Sequence, residues 1–251
     1  MTTPAELARA LVLARRQGAS LDASPWTSVV QSPEDAYAVQ ESVLDALDGQ
    51  PAVSWKSGGP SREATLTHAP LPSVGLLRSG ATLAPLASGR RIVEAEIALK
   101  LGRDVSARDA AQLTPEAAAE WVSAFAPAIE VVDTRWSQGL DCGALLKLAD
   151  LQGHGALVLG EFVPCRPVDW MAQVCSVTVG ATIRSFVGTH ALRDPAWLLP
   201  SWLRHATRHG ATVPAGTLVT TGTWCGMLAV PAGTEVSVRF AGVGAVAVRL
   251  D

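Results

Sequence analysis

Polar and apolar side chains alternate over residues 91–99, which predicts a β-strand with one buried face. Successive side chains of a strand point to opposite faces, so Glu94 and Glu96 share one face. The other face is apolar and is formed by Val93, Ala95, Ile97 and Leu99. The pattern therefore predicts two neighbouring carboxylates on the face that turns away from the core.

The first 52 residues carry apolar side chains at helical spacing. One helix is predicted to begin at Pro4 and a second at Pro33, each directly after a Ser or Thr that can cap it. Gly49 is predicted to end the second helix. We therefore predict an N-terminal helical region over residues 1–52 and a β-rich core over residues 53–251.

The core region is predicted to consist of short strands and turns. A strand at 53–56 is followed by residues 57–73, which are rich in Gly, Pro, Ser and Thr and are predicted to form a mobile lid. Helices are predicted over residues 114–125 and 191–209, and strands over 218–221, 227–230, 235–240 and 245–250. Antiparallel strands with few helices indicate an α+β fold, with a mixed β-sandwich or roll core and an N-terminal helical cap.

Composition excludes several classes of protein. The chain has 251 residues, of which 48% are hydrophobic and 17% charged, and its formal net charge is −3. Its basic residues are scattered, so neither a nucleic-acid-binding stripe nor a polybasic membrane patch is predicted. No segment is long and apolar enough to span a bilayer, the N-terminus lacks the pattern of a signal peptide, and the four cysteines show no C-x-x-C spacing. We therefore expect a cytoplasmic protein.

A third carboxylate accompanies the first two in the sequence. Glu130 lies within the apolar run 127–133, where an unpaired charge is expensive to bury. A divalent cation between the three carboxylates would offset their repulsion, and ligation by oxygen alone selects Mg²⁺, Mn²⁺ or Ca²⁺. Two other interpretations remain open from the residues alone. Glu94 and Glu96 could lie on a solvated strand face, and Glu130 could pair with Arg135 or another arginine.

The order of several motifs places these residues in a wider pattern. The motifs are Trp55-Lys56 before a Gly turn, Val93-Glu94-Ala95-Glu96-Ile97-Ala98, Pro127-Ala128-Ile129-Glu130-Val131-Val132-Asp133-Thr134-Arg135 and Val219-Thr220-Thr221-Gly222-Thr223. On these motifs the chain resembles the fumarylacetoacetate hydrolase superfamily, and within it the branch of 2-keto-4-pentenoate hydratases and 4-oxalocrotonate decarboxylases. Each motif is weak alone, but their order and spacing are specific.

The resemblance implies that residues 53–251 form a metal-binding catalytic core that uses Mg²⁺ or Mn²⁺. The metal ligands that it implies are Glu94, Glu96 and Glu130. Lys56 matches a lysine on the substrate side of the metal, where an ammonium would steady a developing oxyanion. Gly222 and Thr223 match a turn that holds the substrate's carboxylate, although a plain strand-end turn explains them nearly as well. A homo-oligomer is also expected.

Parts of the chain depart from the hydratase pattern. Ser73 stands where a proton-transferring acid is expected, and we retain it as a candidate substrate-binding residue. His68, in the predicted lid, and His154 are candidates for the missing acid–base work, because histidine titrates near neutral pH. The alternatives are an exposed loop residue for His68 and a buried histidine bonded to backbone for His154. We expect Lys56 and one histidine, His68 in preference to His154, to share proton transfer.

The expected activity follows from the implied metal. A divalent cation chelated by a 2-oxo acid stabilises the enolate of that acid, so we expect a small-molecule 2-oxo acid, or its dienol, as substrate. The expected reaction is that of a hydratase of the 2-keto-4-pentenoate type. The alternatives are a decarboxylase, a C–C hydrolase, a non-catalytic subunit that stabilises a related enzyme, and an unrelated β-sandwich binding module. Residues 223–228 are largely apolar and contain no arginine, which favours a substrate with one carboxylate.

Overall fold

The computed structural model describes residues 3–86 and 88–251. Its helices are α1 (Pro4–Gln17), α2 (Pro33–Asp48), α3 (Ala107–Gln112), α4 (Ala144–Ala149) and α5 (Leu199–Ala206). Its strands are β1 (Ser54–Gly58), β2 (Thr67–Pro70), β3 (Leu76–Arg78), β4 (Ala81–Leu83), β5 (Ile92–Leu101), β6 (Val122–Val132), β7 (His154–Leu159), β8 (Val163–Pro164), β9 (Val174–Val179), β10 (Thr182–Val187), β11 (Leu218–Thr220), β12 (Leu228–Ala229), β13 (Thr234–Phe240) and β14 (Gly244–Leu250).

The two N-terminal helices begin and end at the local signals in their sequence. Thr3 and Ser32 cap α1 and α2, each in a capping box with an acidic residue three positions later. Gly18 and Gly49 end these helices in the left-handed conformation, with φ of +61° and +63°, which favours glycine. Helix α2 packs on α1 and on α4. Its first turns reach the wall of the cavity described below.

Two packed sheets form the rest of the structure. The larger sheet has the strand order β2-β1-β11-β5-β6-β7-β3, with β12 beside β5 and β8 beside β6. The smaller sheet has the order β10-β9-β13-β14-β4. Apolar side chains of both sheets meet in the main core, among them Ile97 from the larger sheet and Val236 from the smaller. The predicted α+β fold, with a β-sandwich or roll core and N-terminal helices, is confirmed.

Strands β5 and β6 separate this core from the candidate site. Val93 and Ile97 of β5 are 1% and 0% exposed and belong to the core between the sheets. Glu94 and Glu96 occupy the opposite face, as the alternation of the sequence predicts. Strand β6 runs antiparallel to β5 and places Glu130 directly opposite Glu94. The acidic face of β5 and β6 therefore lies on the side of the sheet away from the main core.

The predicted lid is wrong in its C-terminal part. Within residues 57–73, Thr67–Pro70 form β2, which pairs with β1 in an antiparallel hairpin. Residues 68–72 are buried, because α2 and α5 cover this end of the hairpin. A composition rich in Gly, Pro and Thr therefore does not make this segment a free loop.

Two predicted helices also differ from the structure. The segment 114–125 contains a single 3₁₀ turn, Ala118–Trp121, and then enters β6. Pairing with β5 outweighs the helix propensity of its alanines. The segment 191–209 contains a 3₁₀ turn at Pro195–Leu198 and the short helix α5. Among residues 3–86 and 88–251, no helix has the length and apolar character needed to cross a bilayer.

Candidate metal centre

Three carboxylates from the two central strands meet at one point. Glu94, Glu96 and Glu130 each offer an oxygen atom, and these three atoms lie within 4.8 Å of one another. The strand register produces this arrangement, because Glu94 and Glu130 are directly opposed and Glu96 follows on the same face. Glu96 and Glu130 are only 2% and 1% exposed. We call these three residues the carboxylate cluster.

Burial and repulsion make the carboxylate cluster costly when no cation is bound. Burial, followed by the charge of Glu130, raises the pKa of Glu94 to about 7 and that of Glu96 to about 8. Burial also acts to raise the pKa of Glu130, but the charge of Lys56 and a hydrogen bond from His154 outweigh it and hold that pKa below its usual range. Within the protein, the negative charge of Glu130 is therefore compensated, whereas the charges of Glu94 and Glu96 are not.

The carboxylate cluster fits a divalent cation. Its three donor groups are carboxylates, which hard ions such as Mg²⁺ and Mn²⁺ prefer. The second oxygen of Glu130 is buried and has no hydrogen-bond partner among the described residues. A cation would supply that partner and would also favour the ionised forms of Glu94 and Glu96. The three residues could therefore hold one divalent ion.

Lys56 of β1 places a positive charge at the edge of the carboxylate cluster. Its ammonium lies 2.5 Å from Oε1 of Glu130, and its side chain is 13% exposed. Burial acts to lower the pKa of Lys56, but the charges of the three carboxylates outweigh it and raise that pKa above its usual value. The side chain of Lys56 therefore stays protonated and positively charged in the site.

Both alternatives to a metal site that the sequence left open are wrong. Glu94 and Glu96 do not lie on an outer strand face in bulk solvent, because both line a cavity and the side chain of Glu96 is 2% exposed. Glu130 does not pair with Arg135. The guanidinium of Arg135 lies 3.1 Å from Asp150 and 3.3 Å from Asp133, and so forms a separate buried ion-pair network.

An open cavity of about 1030 Å³ lies next to the carboxylate cluster. It is bounded by the β1–β2 hairpin, by α2, α4 and α5, and by the turn after β11. Glu94, Glu96 and Lys56 line it on one side. A cavity of this size is large enough to contain a small organic acid together with solvent.

The turn after β11 holds Glu96 in place. The N–H of Gly222 donates to Oε2 of Glu96 at 3.2 Å, and Gly222 has a φ of +99°, which favours glycine. Thr223 also lines the cavity, but its hydroxyl is used within the turn. It donates to the carbonyl of Gly226 and accepts from the N–H of Cys225. The structure brings both predicted residues to the cavity, and Gly222 orients a carboxylate of the cluster.

His154 contacts Glu130 of the carboxylate cluster on the side away from the cavity. It is fully buried, its Nδ1 lies 3.4 Å from Oε1 of Glu130, and burial lowers its pKa to about 4. A neutral imidazole can donate from Nδ1 and so orient the carboxylate. Arg15 of α1 and Arg135 donate to the carbonyl of His154 at 2.8 and 3.0 Å. His154 is not among the described residues that line the cavity, so it positions Glu130 instead of contacting a substrate.

Comparisons with known proteins agree with this architecture. The family model for the C-terminal domain of fumarylacetoacetate (FAA) hydrolase matches residues 60–251. The chain belongs to the fumarylacetoacetate hydrolase family. The resemblance stated from the sequence motifs is thereby confirmed at the level of the family. No match was found among curated proteins.

Solved structures extend the fumarylacetoacetate hydrolase fold to nearly the whole chain. The complex of 4-oxalocrotonate decarboxylase from Pseudomonas putida G7 with calcium and acetate is 18% identical, with a TM-score of 0.85 over 99% of this chain and 97% of that chain. The complex of this decarboxylase with magnesium and adipate has a TM-score of 0.86. Fumarylpyruvate hydrolase from Pseudomonas aeruginosa, in complex with Mn²⁺ and pyruvate, is 18% identical over 78% of this chain and 88% of that chain, with a TM-score of 0.55. At this identity the likeness shows the fold, and in the decarboxylase it covers the N-terminal helices as well.

His68 of this family member lies in a strand of the hairpin and not in a free lid. His68 is directly opposite Ser57 in the β1–β2 hairpin, so both residues lie on the face opposite to Lys56. Its Nδ1 bonds to the hydroxyl of Ser57 at 2.8 Å, and its Nε2 lies 3.4 Å from the hydroxyl of Ser201. His68 is 4% exposed, and burial lowers its pKa to about 3. It lines the cavity, but it belongs to a buried strand and not to a mobile lid, so that part of the prediction is wrong.

Ser73 lies outside the cavity. It is exposed, and its N–H and hydroxyl donate to the carboxylate of Asp48 at 2.8 and 3.1 Å. Asp48 is the last residue of α2, so this contact joins the end of that helix to the turn before β3. The prediction that Ser73 contacts the substrate is therefore wrong, because its polar groups serve a structural contact at the surface.

Several further polar residues that the sequence did not single out line the cavity, and three of them lie on α4, the turn after it and β11. They are Lys147 in α4, Gln152 in the turn after α4, and Thr220 at the end of β11. Thr220 pairs with Lys56 across β1 and β11, and its hydroxyl is buried with no partner in the described part of the chain. The motif that contains Thr220 was visible in the sequence. Helix α4 has only six residues, too few for apolar spacing to reveal its inward face.

The raised pKa values predict how the metal-free protein responds to pH. A carboxyl whose pKa in the folded state lies above its unfolded value favours folding while it is neutral, and this stabilisation is lost as the pH rises through the folded pKa. For Glu94 and Glu96 that loss extends to about pH 7 and 8. Buried histidines act in the opposite sense, but only below their ordinary pKa of 6.5, because burial lowers their folded pKa values to about 3 or 4. They are His68, His154 and His190, together with the half-buried His205.

Above pH 6.5, and up to about pH 8, we therefore expect the Tm of the metal-free protein to fall as the pH rises. Thermal unfolding in EDTA measures this change. Saturating Mg²⁺ should weaken the dependence, because the bound cation favours the ionised carboxylates at every pH in this range. Glu96→Gln should weaken it in EDTA as well. A metal-free Tm that is constant or rises over this range contradicts the predicted repulsion.

Proposed function

We propose that this protein is a divalent-metal-dependent enzyme that converts a small 2-oxo acid, or its dienol, through an enolate, in a hydration of the 2-keto-4-pentenoate type. The convergence of Glu94, Glu96 and Glu130 beside Lys56, next to an open cavity, carries this proposal. Two enzymes that share the fold support it, since their structures hold magnesium with adipate and Mn²⁺ with pyruvate.

In this proposal the chain holds the metal ligands and supplies a cation for the substrate. When bound, Mg²⁺ or Mn²⁺ supplies Lewis acidity that stabilises negative charge on the oxygens of a 2-oxo acid. Gly222 fixes Glu96, while Lys56 and His154 fix Glu130. The ammonium of Lys56 also stabilises negative charge that develops on a substrate oxygen in the cavity.

In this proposal, water in the open cavity protonates the carbon of the enolate. His68 lies on the face of the hairpin opposite to Lys56, and Ser73 lies outside the cavity. His154 is fully buried behind Glu130. The polar groups of these side chains are bonded to Ser57 and Ser201, to Asp48 and to Glu130, so we assign the protonation to water.

Decarboxylation is the second candidate reaction. The fold match to 4-oxalocrotonate decarboxylase covers 99% of this chain, whereas the match to fumarylpyruvate hydrolase covers 78%. Loss of carbon dioxide from a carbon next to the ketone of a 2-oxo acid needs the same stabilised enolate. The two candidates therefore share the site and differ in the substrate that the cavity admits.

A substrate panel tests the proposal. The purified protein is assayed with 2-hydroxypenta-2,4-dienoate, oxaloacetate and acylpyruvates, each with Mg²⁺ and again with EDTA. We expect Mg²⁺-dependent hydration of the dienoate, measured as loss of its ultraviolet absorbance and formation of the 4-hydroxy-2-oxo acid. Turnover of oxaloacetate alone would select decarboxylation. Metal binding without turnover of any substrate would contradict an enzyme of this class and favour a non-catalytic partner of a related enzyme.

A further inference from the structure

One wall of the cavity carries two polar side chains that lack a partner. The wall consists of α4 and the turn that follows it. Lys147 in the last turn of α4 is half-buried, and its ammonium makes no hydrogen bond or ion pair with a residue in the ranges 3–86 and 88–251. The amide nitrogen of Gln152 is buried and also lacks a partner among the described residues. A buried polar group without a partner is unfavourable, and a ligand that reached it would supply the missing hydrogen bond.

The backbone of the turn after α4 is held in an unusual conformation. Leu151 and Gln152 have positive φ values, +50° and +55°, although neither is glycine. Left-handed backbone is unfavourable for such residues and persists only where the surrounding structure enforces it. Here Leu151 packs into the apolar cluster beneath the N-terminal helices, while Gln152 lines the cavity. The strained turn therefore brings the amide of Gln152 to the cavity.

Lys147 lines the same cavity as Glu94 and Glu96 of the carboxylate cluster. Burial raises the pKa of Glu94, and the charges that oppose this rise belong to Lys56 and Lys147. Lys56 is already bonded to Glu130, whereas Lys147 has no such bond. The ammonium of Lys56 is therefore paired within the site, whereas the ammonium of Lys147 can pair with a bound anion.

Charge balance indicates how many carboxylates that anion has. With a divalent cation on the three carboxylates, Lys56 and Lys147 leave the centre with one surplus positive charge. Glu34 and Arg204 also line the cavity and add one charge of each sign. The rest of the α4 wall is apolar and includes Ala144, Leu145 and Leu148. One substrate carboxylate would neutralise the site, whereas a second would leave an uncompensated charge against an apolar wall.

We propose that Lys147 and Gln152 bind the carboxylate of a monocarboxylic 2-oxo acid with an apolar remainder. Lys147 forms an ion pair with the carboxylate, and Gln152 donates an amide N–H to it. This assignment rests on the proposed function and specifies its substrate class. It also separates the two candidate reactions, because hydration of a dienoate uses a monocarboxylate whereas the decarboxylation considered above needs a second carboxylate to lose.

Pyruvate and methyl pyruvate are the probes for the ion pair, because they differ in the charge of the carboxyl group. Binding is measured through the relaxation rate of water protons in the Mn²⁺-loaded protein, and Mn²⁺ affinity is measured separately by electron paramagnetic resonance. We expect Lys147→Met to raise the Kd of pyruvate by about 10- to 100-fold, the usual effect of losing a hydrogen bond to a charged group. The Kd of methyl pyruvate and that of Mn²⁺ should change little.

Matched variants make the result specific. Lys147→Arg should restore most of the affinity for pyruvate, and Gln152→Leu should weaken pyruvate binding without changing Mn²⁺ binding. Lys100→Met is the control, because Lys100 lies over the ring of Phe162 and is not among the described residues that line the cavity. In the wild-type protein, 2-oxopentanoate should bind more tightly than 2-oxoglutarate, which has the same chain length and a second carboxylate.

Several outcomes would overturn the proposal. Lys147→Met could bind pyruvate as tightly as the wild type, or could lose affinity for pyruvate and methyl pyruvate equally. Tighter binding of 2-oxoglutarate than of 2-oxopentanoate would show that the substrate class is wrong. In each of these cases intact Mn²⁺ binding leaves the proposed metal function standing. A wild-type protein that does not bind Mn²⁺ overturns the metal function itself, and the carboxylate subsite with it.

Discussion

Glu96→Gln should abolish metal-dependent turnover and leave the fold intact. The amide has nearly the same shape but no charge, so the carboxylate cluster loses a ligand that is both buried and held by Gly222. A catalytic metal stabilises the transition state by several kcal/mol, so its loss should lower kcat/KM by roughly 10³-fold or more. Steady-state kinetics at saturating Mg²⁺ measure the loss of turnover, and direct titration with Mn²⁺ measures the loss of metal affinity.

The same substitution should stabilise the metal-free protein. Burial, followed by the charges of Glu130 and Glu94, raises the pKa of Glu96 to about 8, so folding at neutral pH must either bind a proton at Glu96 or bury its charge. The neutral amide removes this repulsion, and the Tm in EDTA should rise. Glu161→Gln is the control, because Glu161 is exposed and not among the described residues that line the cavity. Wild-type turnover and Mn²⁺ affinity in Glu96→Gln would show that Glu96 is not a metal ligand.

Lys56→Met should lower both the rate and the affinity for substrate. We expect kcat to fall by roughly 10²- to 10³-fold, the usual cost of removing one donor from a developing oxyanion. The ammonium of Lys56 bonds to Glu130, so the variant also leaves that carboxylate without its cation. Kinetics at saturating Mg²⁺, with kcat and KM determined separately, measure the effect on catalysis.

Stability measurements distinguish the two roles of Lys56. Breaking a buried ion pair from one side costs about 3–5 kcal/mol, so the metal-free variant should unfold at a lower temperature than the wild type. Bound Mg²⁺ should restore part of that loss, because the cation compensates Glu130. Lys56→Arg keeps the charge but not the geometry and should retain more stability than activity. Full activity in a folded Lys56→Met protein would remove Lys56 from the proposed mechanism.

The features that could be predicted from the sequence are those with local causes. The starts of α1 and α2 depend on residues that lie within three positions of one another, such as Ser32 and Asp35. The shared face of Glu94 and Glu96 follows from strand alternation alone. Glu130 joined them through the order of the family motifs, since no local signal states which strands pair.

The features that could not be predicted depend on distant partners. His68 lies in a segment whose composition is typical of a loop, yet its ring contacts Ser201 of α5 and its carbonyl accepts from Gln40 of α2. These contacts bury the segment, and they involve residues far away in the sequence. Lys147 and Gln152 are likewise brought to the cavity by a short helix and a strained turn, which leave no periodic pattern in the sequence. The structure was needed to identify them.

The pairing of Glu94 with Glu130 also has a consequence for the register of β5 and β6 during folding. Side chains alternate with a period of two along a strand, so a slip of β5 by one residue would exchange its two faces. Such a slip would place Glu94 and Glu96 in the apolar core between the sheets, where Val93 and Ile97 now pack. Burying two charges there would be costly enough to exclude the slipped pairing. The acidic residues therefore specify the register of the central strand pair before any ligand is bound.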